Sequence, residues 1–306
     1  MKSSAALASP PVVARSAVRP AYRTADFITL TKPRLNFLVL FTTVAGMYLA
    51  APDGVPLALL AHALIGTALV AGGASALNQV WERETDTLMR RTRVRPIPGG
   101  RLRVSDGAWF GTLLSAAGLI ELTWKVNPLS AAVAAATLVS YVFVYTPLKK
   151  RTSLSTLVGA VPGALPPVIG WAAATGTISL PAAVLFGIVF LWQMPHFLAI
   201  AWMYREDYEH AGIPLLPVLE RDGRRTGQQA LLYAAALWPV STLPALVGIA
   251  GGPYIVVATV LGFGLIALSA LFARDRTQTT ARTLFLYSIV YLPLLWAALV
   301  VDRLWL

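Results

Sequence analysis

Stretches of close to twenty apolar residues recur along this chain, separated by short polar segments. The pattern predicts nine membrane-spanning helices, at about 35–51, 57–79, 107–124, 128–146, 154–172, 180–204, 227–249, 254–273 and 283–301. Proline and glycine fall inside several of them, as in VGAVPGALPPVIGW. Such residues would break soluble helices, but in a bundle the neighbouring helices resatisfy the freed backbone groups. The expected fold class is therefore all-α, a polytopic membrane bundle. Residues 1–26 are rich in Ser, Ala, Pro and Arg and carry a single acid. They lack the apolar core and cleavage site of a secretory signal, although a transit peptide has a similar composition. They read as a disordered basic arm, which leaves 27–306 as one transmembrane domain.

Composition supports the membrane reading: of 306 residues 57% are hydrophobic and 13% charged, with a mean hydropathy of +0.66. The net charge of +11 would suggest an anionic partner on a soluble protein, so the position of the cations decides its meaning. Nine spans put the segments before the first helix and after the second, fourth, sixth and eighth on one side. All but Lys125 and Arg303 of the 25 basic residues, among them Arg15, Arg34, the run from Arg90 to Arg103, Arg221, Arg224 and Arg225, fall there. This is the positive-inside asymmetry, and it places the amino terminus and the charged loops in the cytoplasm or its equivalent. Nucleic-acid binding is not needed to explain the charge. The absence of cysteine excludes disulfides, thiolate metal sites and a Cys nucleophile.

Acids contribute little to orientation, so carboxylates gathered at a helix end call for another reason. If the second helix continues through NQVWERETD, Asn78, Glu82 and Asp86 recur every four residues and project from one face. Like charges at that spacing repel unless a cation lies between them. Magnesium takes oxygen ligands and typically binds through one or two carboxylates plus substrate phosphates. Arg90, Arg91, Arg93 and Arg95 follow at once, and guanidinium forks suit phosphate oxygens. Together these describe a diphosphate site. The plainer alternative is a helix end where Asp86 and Arg90 form an exposed i, i+4 pair and the other arginines only anchor topology.

Two more polar clusters belong to the same membrane face: Tyr145, Lys149, Lys150 and Arg151 after the fourth span, and Tyr204, Arg205, Asp207, Tyr208 and His210 after the sixth. Either could be an ordinary interfacial belt. His196 lies within an apolar span, where an imidazole is costly enough to suggest a function, with an interhelical hydrogen bond as the alternative. His62, near the opposite face, reads as structural. A secondary transporter would also use intramembrane acids and histidines, but the acids here gather at one face instead of the midplane, and no repeat relates the two halves.

TKPRLN, NQVWERETDTLMRRTRVRPIPGG, YTPLKKRTS, GALPPVIGW, WQMPHF and DYEHAGIPLLPV occur in this order over most of the chain. In these motifs the sequence resembles the UbiA-type intramembrane prenyltransferases, and within them the protoheme IX farnesyltransferases. The resemblance implies a nine-helix bundle with a central cavity open to the cytoplasmic side of the bacterial inner membrane, or of the mitochondrial inner membrane. It implies transfer of farnesyl from farnesyl diphosphate to a vinyl group of heme B, with water adding, to give heme O. It further implies that magnesium (Mg2+) bridges the diphosphate and the metal-binding, catalytic set Asn78, Glu82, Asp86 and Asp207. Arg90, Arg91, Arg95, Lys149, Lys150 and Arg205 would hold the diphosphate. Lys32, Arg34, Tyr145, Trp192, His196 and Tyr208 would line the heme or prenyl pocket. The lipid bilayer and heme-handling or oxidase-assembly proteins would be the partners. The second acidic motif departs from the DxxxD common in the superfamily, since Met203 stands four residues before Asp207. Another aromatic or tetrapyrrole acceptor is the alternative within the family.

Overall fold

The computed structural model describes residues 23–51 and 53–304, and every regular element among them is helical. A short helix, α1 (Thr24–Leu30), precedes two long ones, α2 (Pro33–Ala50) and α3 (Leu57–Leu88). The chain then runs through an irregular, arginine-rich loop, residues 89–103, into α4 (Val104–Lys125). The next apolar segment is α5 (Pro128–Val139), a wider π-type turn (Ser140–Tyr145) and α6 (Thr146–Leu148); the one after it is split into α7 (Ser155–Ala164) and α8 (Pro166–Thr175). Next come α9 (Leu180–Met203), the short α10 (Arg205–His210) and α11 (Leu216–Leu219), then α12 (Arg224–Leu246), α13 (Gly252–Asp275) and α14 (Gln278–Arg303). Residues 1–22 of the expected basic arm lie outside the described residues, and its last residues, 24–26, open α1.

Eight helical segments are long and apolar enough to cross a membrane, and they make the protein a polytopic membrane bundle. They coincide with eight of the nine expected spans. The exception is α4, which is 22 residues long but carries Asp106, Glu121 and Lys125.

Two interruptions have local causes. Pro147 has no N–H to continue the α ladder, and the turn before it widens so that the Thr146 hydroxyl reaches the Tyr141 carbonyl at 2.8 Å. At Pro166–Pro167 the helix breaks, and Thr43 Oγ1 of α2 donates to the Pro166 carbonyl at 3.2 Å. Helices α9, α12, α13 and α14 share the largest apolar core, with Trp296, Tyr291, Leu237, Leu265 and Phe272 buried at its centre. That half is a packed wall. The polar side chains collect at one end of the other half, between α3, α6 and the loop 89–103.

Candidate active site

Helix α3 runs on to Leu88, well past the apolar stretch, and its last turns carry the expected acids. Asn78, Glu82 and Asp86 are buried, Asp86 completely, while Trp81, Glu84 and Leu88 face outward. A four-residue spacing puts three side chains on one helix face, and this face turns inward.

Each of these side chains meets a partner from another element. Lys149 Nζ, just after α6, donates to Glu82 Oε1 at 3.0 Å. Arg95 Nη1 donates to Asp86 Oδ2 at 2.7 Å and lies 3.8 Å from Glu82 Oε2. Lys32 Nζ donates to Asn78 Oδ1 at 2.9 Å, and Asn78 Nδ2 donates to Thr146 Oγ1 at 3.1 Å. Thr92 Oγ1 bonds the Asp86 carbonyl at 3.0 Å and ties the loop to the helix end. Two carboxylates thus stand under three cations, a local excess of one positive charge. Asp86 Oδ1 is buried without a hydrogen-bond partner, so one hard oxygen donor remains free beside Glu82.

Two of the cations lie outside the spanning segments and are strongly tuned. Burial, then repulsion from Arg95, lowers the pKa of Lys32 to about 8, against the pull of Glu82. For Lys149 burial opposes the charge, but the Tyr145 oxygen and the Glu82 carboxylate outweigh it and raise its pKa. Lys32 is also one of two described non-glycine residues with positive φ, at 49°, a cost accepted where it turns the chain from α1 into α2.

A cleft lined by Glu82, Thr85, Thr146, Lys149, Lys150 and Arg151 opens beside the acid pair. Tyr145, half-buried, stacks on Tyr141 at 5.5 Å. Tyr208 of α10 is buried and lies within electrostatic range of Lys149 and Tyr145, so α10 supplies a wall of the same end.

Several expected site residues are placed differently. Arg90 and Arg34 are exposed. The exposed pair of Asp86 with Arg90 is replaced by a buried one with Arg95, because the loop folds back over the helix end. Arg91 lies over the Tyr204 ring at 5.7 Å. Arg205 lies 4.3 Å over the Trp202 ring, which also packs on Phe272, so its guanidinium is engaged against α9 and not with the acid pair. Asp207 is half-buried, and among the described residues no three acidic or imidazole groups lie close enough to hold a metal ion. The Asn78 amide, with its oxygen on Lys32 and its nitrogen on Thr146, braces the acids. Helical spacing fixes residues of one helix relative to each other but says nothing about a side chain from another.

Trp192 is buried in α9; its Nε1 donates to the Ser288 carbonyl at 2.8 Å and its ring stacks on His196 at 4.9 Å. The Ser288 hydroxyl lies 2.7 Å from the Phe285 carbonyl and 2.8 Å from His196 Nδ1. That contact engages Nδ1, and Nε2 is the other ring nitrogen. His62 does have a partner: its Nδ1 lies 2.6 Å from Glu121. Thr92, Thr146 and Ser288 are the polar contributors that pattern reasoning missed; a lone Thr or Ser in an apolar or arginine-rich run carries no signal above background.

Buried carboxylates capped by lysine and arginine at one end of an all-helical membrane bundle define an intramembrane site for an anionic substrate. The UbiA prenyltransferase family model matches residues 39–292, and the chain belongs to that family. Among its relatives, the protoheme IX farnesyltransferase of Solibacter usitatus (strain Ellin6076) is 48% identical over 287 residues, covering 91% of this chain and 98% of the relative. That of Myxococcus xanthus (strain DK1622) is 46% identical, covering 91% and 94%. Solved structures share the fold. A structure described in a study of digeranylgeranylglyceryl phosphate synthase in membranes superposes with a TM-score of 0.79 at 16% identity, over 92% of this chain and 99% of that one. A UbiA homologue from Archaeoglobus fulgidus, bound to GPP and Mg2+, superposes with a TM-score of 0.64 at 15% identity, covering 90% and 99%.

Proposed function

We propose that the chain transfers the farnesyl group of farnesyl diphosphate, with addition of water, to a vinyl group of heme B, releasing diphosphate and giving heme O. The observation that carries the acceptor is near-50% identity to protoheme IX farnesyltransferases over almost their whole length. The diphosphate chemistry has independent support in the acid pair and its cations.

The residues present suit magnesium: Glu82 and Asp86 are hard oxygen donors one turn apart, and Asp86 Oδ1 is unspent. When bound there, the ion would help neutralise the leaving diphosphate. Asp207, which α10 brings to the same end, would add a third carboxylate to the set that holds the ion. Arg95, Lys149 and Lys150 stabilise the departing oxygens, at about 3 kcal/mol for a well-placed donor. Arg90 and Arg91, exposed on the same loop, draw the anion in. The Tyr145 and Tyr208 rings stabilise positive charge on the allylic carbon by about 2 kcal/mol once water is excluded. The vinyl group attacks that carbon, and water captures the charge left beside the porphyrin, so no strong base is required. Trp192 and His196 belong to the heme wall, with His196 Nε2 available to the iron, and Lys32 and Arg34 serve the propionates.

Nine crossings are proposed, α4 among them. It lies antiparallel along α3 from the Glu121–His62 pair through Gly118 on Gly66 and Gly111 on Gly73 to Gly107 against Val80. That register runs 18 steps along α3, from His62 to Val80, or roughly 27 Å, nearly the thickness of the hydrocarbon core. The site end then faces the cytoplasm of the inner membrane, by the distribution of arginine and lysine.

The test is to incubate purified protein with heme B, farnesyl diphosphate and Mg2+ and to look for a mass gain of farnesyl plus water. EDTA should abolish the product and excess Mg2+ restore it. An unchanged heme B mass, or full turnover in EDTA, would refute the reading.

Lys32 makes a separate prediction. Its folded pKa is depressed from 10.5 to about 8, so below pH 8 it is charged in both states and the fold bears that cost. The cost is relieved as pH rises from 8 towards 10.5, while the free enzyme loses a substrate-facing cation. The kcat/KM for heme B, whose propionates Lys32 serves, should fall above about pH 8, and Lys32→Arg should remove that limb. Identical pH profiles for the two proteins would contradict the assignment.

A further inference from the structure

The loop 89–103 carries six arginines in fifteen residues, so the attraction of Arg95 to the acid pair works against their mutual repulsion. Its internal bonds, from Arg95 N to the Thr92 carbonyl at 2.9 Å and from Arg101 N to the Pro96 carbonyl at 2.9 Å, shape it without docking it. Thr92 and Arg95 reach Asp86, and the rest of the docking comes from α1. Ile97 and Leu102 of the loop are buried in one cluster with Leu30, Phe27 and Phe110. Asp26, a buried carboxylate, accepts from Arg101 Nε at 2.8 Å. Arg101 Nη2 in turn donates to the Val94 carbonyl at 3.0 Å, one residue before Arg95. The far end of α1 is pinned to the acid-bearing helix, where Gln79 Nε2 donates to the Leu30 carbonyl at 2.8 Å and Lys32 reaches Asn78.

We propose that Asp26 is a positioning residue for the diphosphate site: through Arg101 it holds the loop backbone so that Arg95 lies on Asp86 and Glu82. Helix α1 and the arginine loop then form one clamp. Asp26 touches no reacting atom and acts only through the placement of Arg95. The inference rests on the proposed diphosphate site, but not on heme being the acceptor.

Asp26→Asn removes the charge at constant shape, and Arg101→Lys keeps the charge while losing the fork that joins Asp26 to Val94. Calorimetric binding of inorganic pyrophosphate with Mg2+ should weaken roughly tenfold in either variant, the scale of losing one charge-assisted hydrogen bond. The KM for farnesyl diphosphate should rise in parallel, while the KM for heme B and the thermal midpoint stay near wild type. In an Arg95→Lys background, Asp26→Asn should add little further loss, because its effect runs through Arg95. The clamp is refuted by unchanged pyrophosphate affinity in both variants, by full additivity with Arg95→Lys, or by a loss shared with heme affinity and thermal stability. If the wild type binds pyrophosphate but forms no heme O, the farnesyl-transfer reading fails and the clamp is still judged by the binding data.

Discussion

Replacing Asp86 with asparagine is expected to lower kcat/KM for heme O formation by at least roughly a thousandfold, about 4 kcal/mol of transition-state stabilisation. The exchange keeps the shape and one oxygen, so the Arg95 Nη1 bond of 2.7 Å can persist. It removes the charge that balances Arg95 and weakens the oxygen donor that no protein group uses, Oδ1. Breaking a buried ion pair from one side also costs stability, because the remaining cation is uncompensated. Asp86→Ala carries that cost in full and leaves a cavity, so asparagine is the cleaner probe. The measurement is product mass per unit of protein recovered as a monodisperse peak in detergent. Turnover within tenfold of wild type, from protein with an unchanged melting curve, would remove Asp86 from the reaction. Glu82→Gln should resemble it: Lys149 keeps an oxygen at 3.0 Å but loses its counter-charge, so the affinity for pyrophosphate should change along with turnover.

Much of the fold was legible because the bilayer selects for length and apolarity, which hydropathy reads directly. Eight spans coincide with long apolar helical segments, and the ninth, α4, is less apolar, with Glu121 and several Gly, Ser, Thr and Trp residues along it. The acidic face was legible for a similar reason: a four-residue spacing on one helix admits a single geometry. What spacing could not give is which cation each acid meets. Arg90 is the local candidate for Asp86 by helical spacing, yet Met89 leaves the helix with extended backbone and the chain returns, bringing Arg95 in its place. That return depends on α1, whose seven residues are too few to register as a helix in a scan for spans. Asp26 was assigned to a disordered arm because its partner, Arg101, lies 75 residues away. Thr146 and Lys149 follow a π-type turn that ends at Tyr145, and its extra residue rotates all that comes after it by roughly 100° relative to an unbroken helix.

The second large effect is structural and lies where α2 crosses α8. A methyl group at Gly170 would land on the Thr43 carbonyl oxygen, with the Thr43 carbonyl carbon at 2.9 Å and Met47 N at 3.0 Å. One at Gly46 would meet the Pro167 carbonyl oxygen, with Pro167 Cα at 3.0 Å. These neighbours are backbone atoms, so no side-chain rotation relieves the overlap and the two helices must separate. In a bilayer, helix association relies on such close approach of small residues, because lipid tails solvate apolar side chains as well as a neighbouring helix does. Overpacking costs about 1–3 kcal/mol per site, and separation would also break the Thr43–Pro166 bond. Since Lys32 is the N-cap of α2, separating that helix from α8 would also disturb the contact with Asn78. The double variant Gly46→Ala/Gly170→Ala should therefore melt well below wild type in detergent and give little folded protein. Gly252→Ala is the control: it adds the same methyl with nothing within 4 Å and should change stability by no more than about 0.5 kcal/mol. If the double variant melts with the control, contact between these two helices is not what holds this half of the bundle closed around the site.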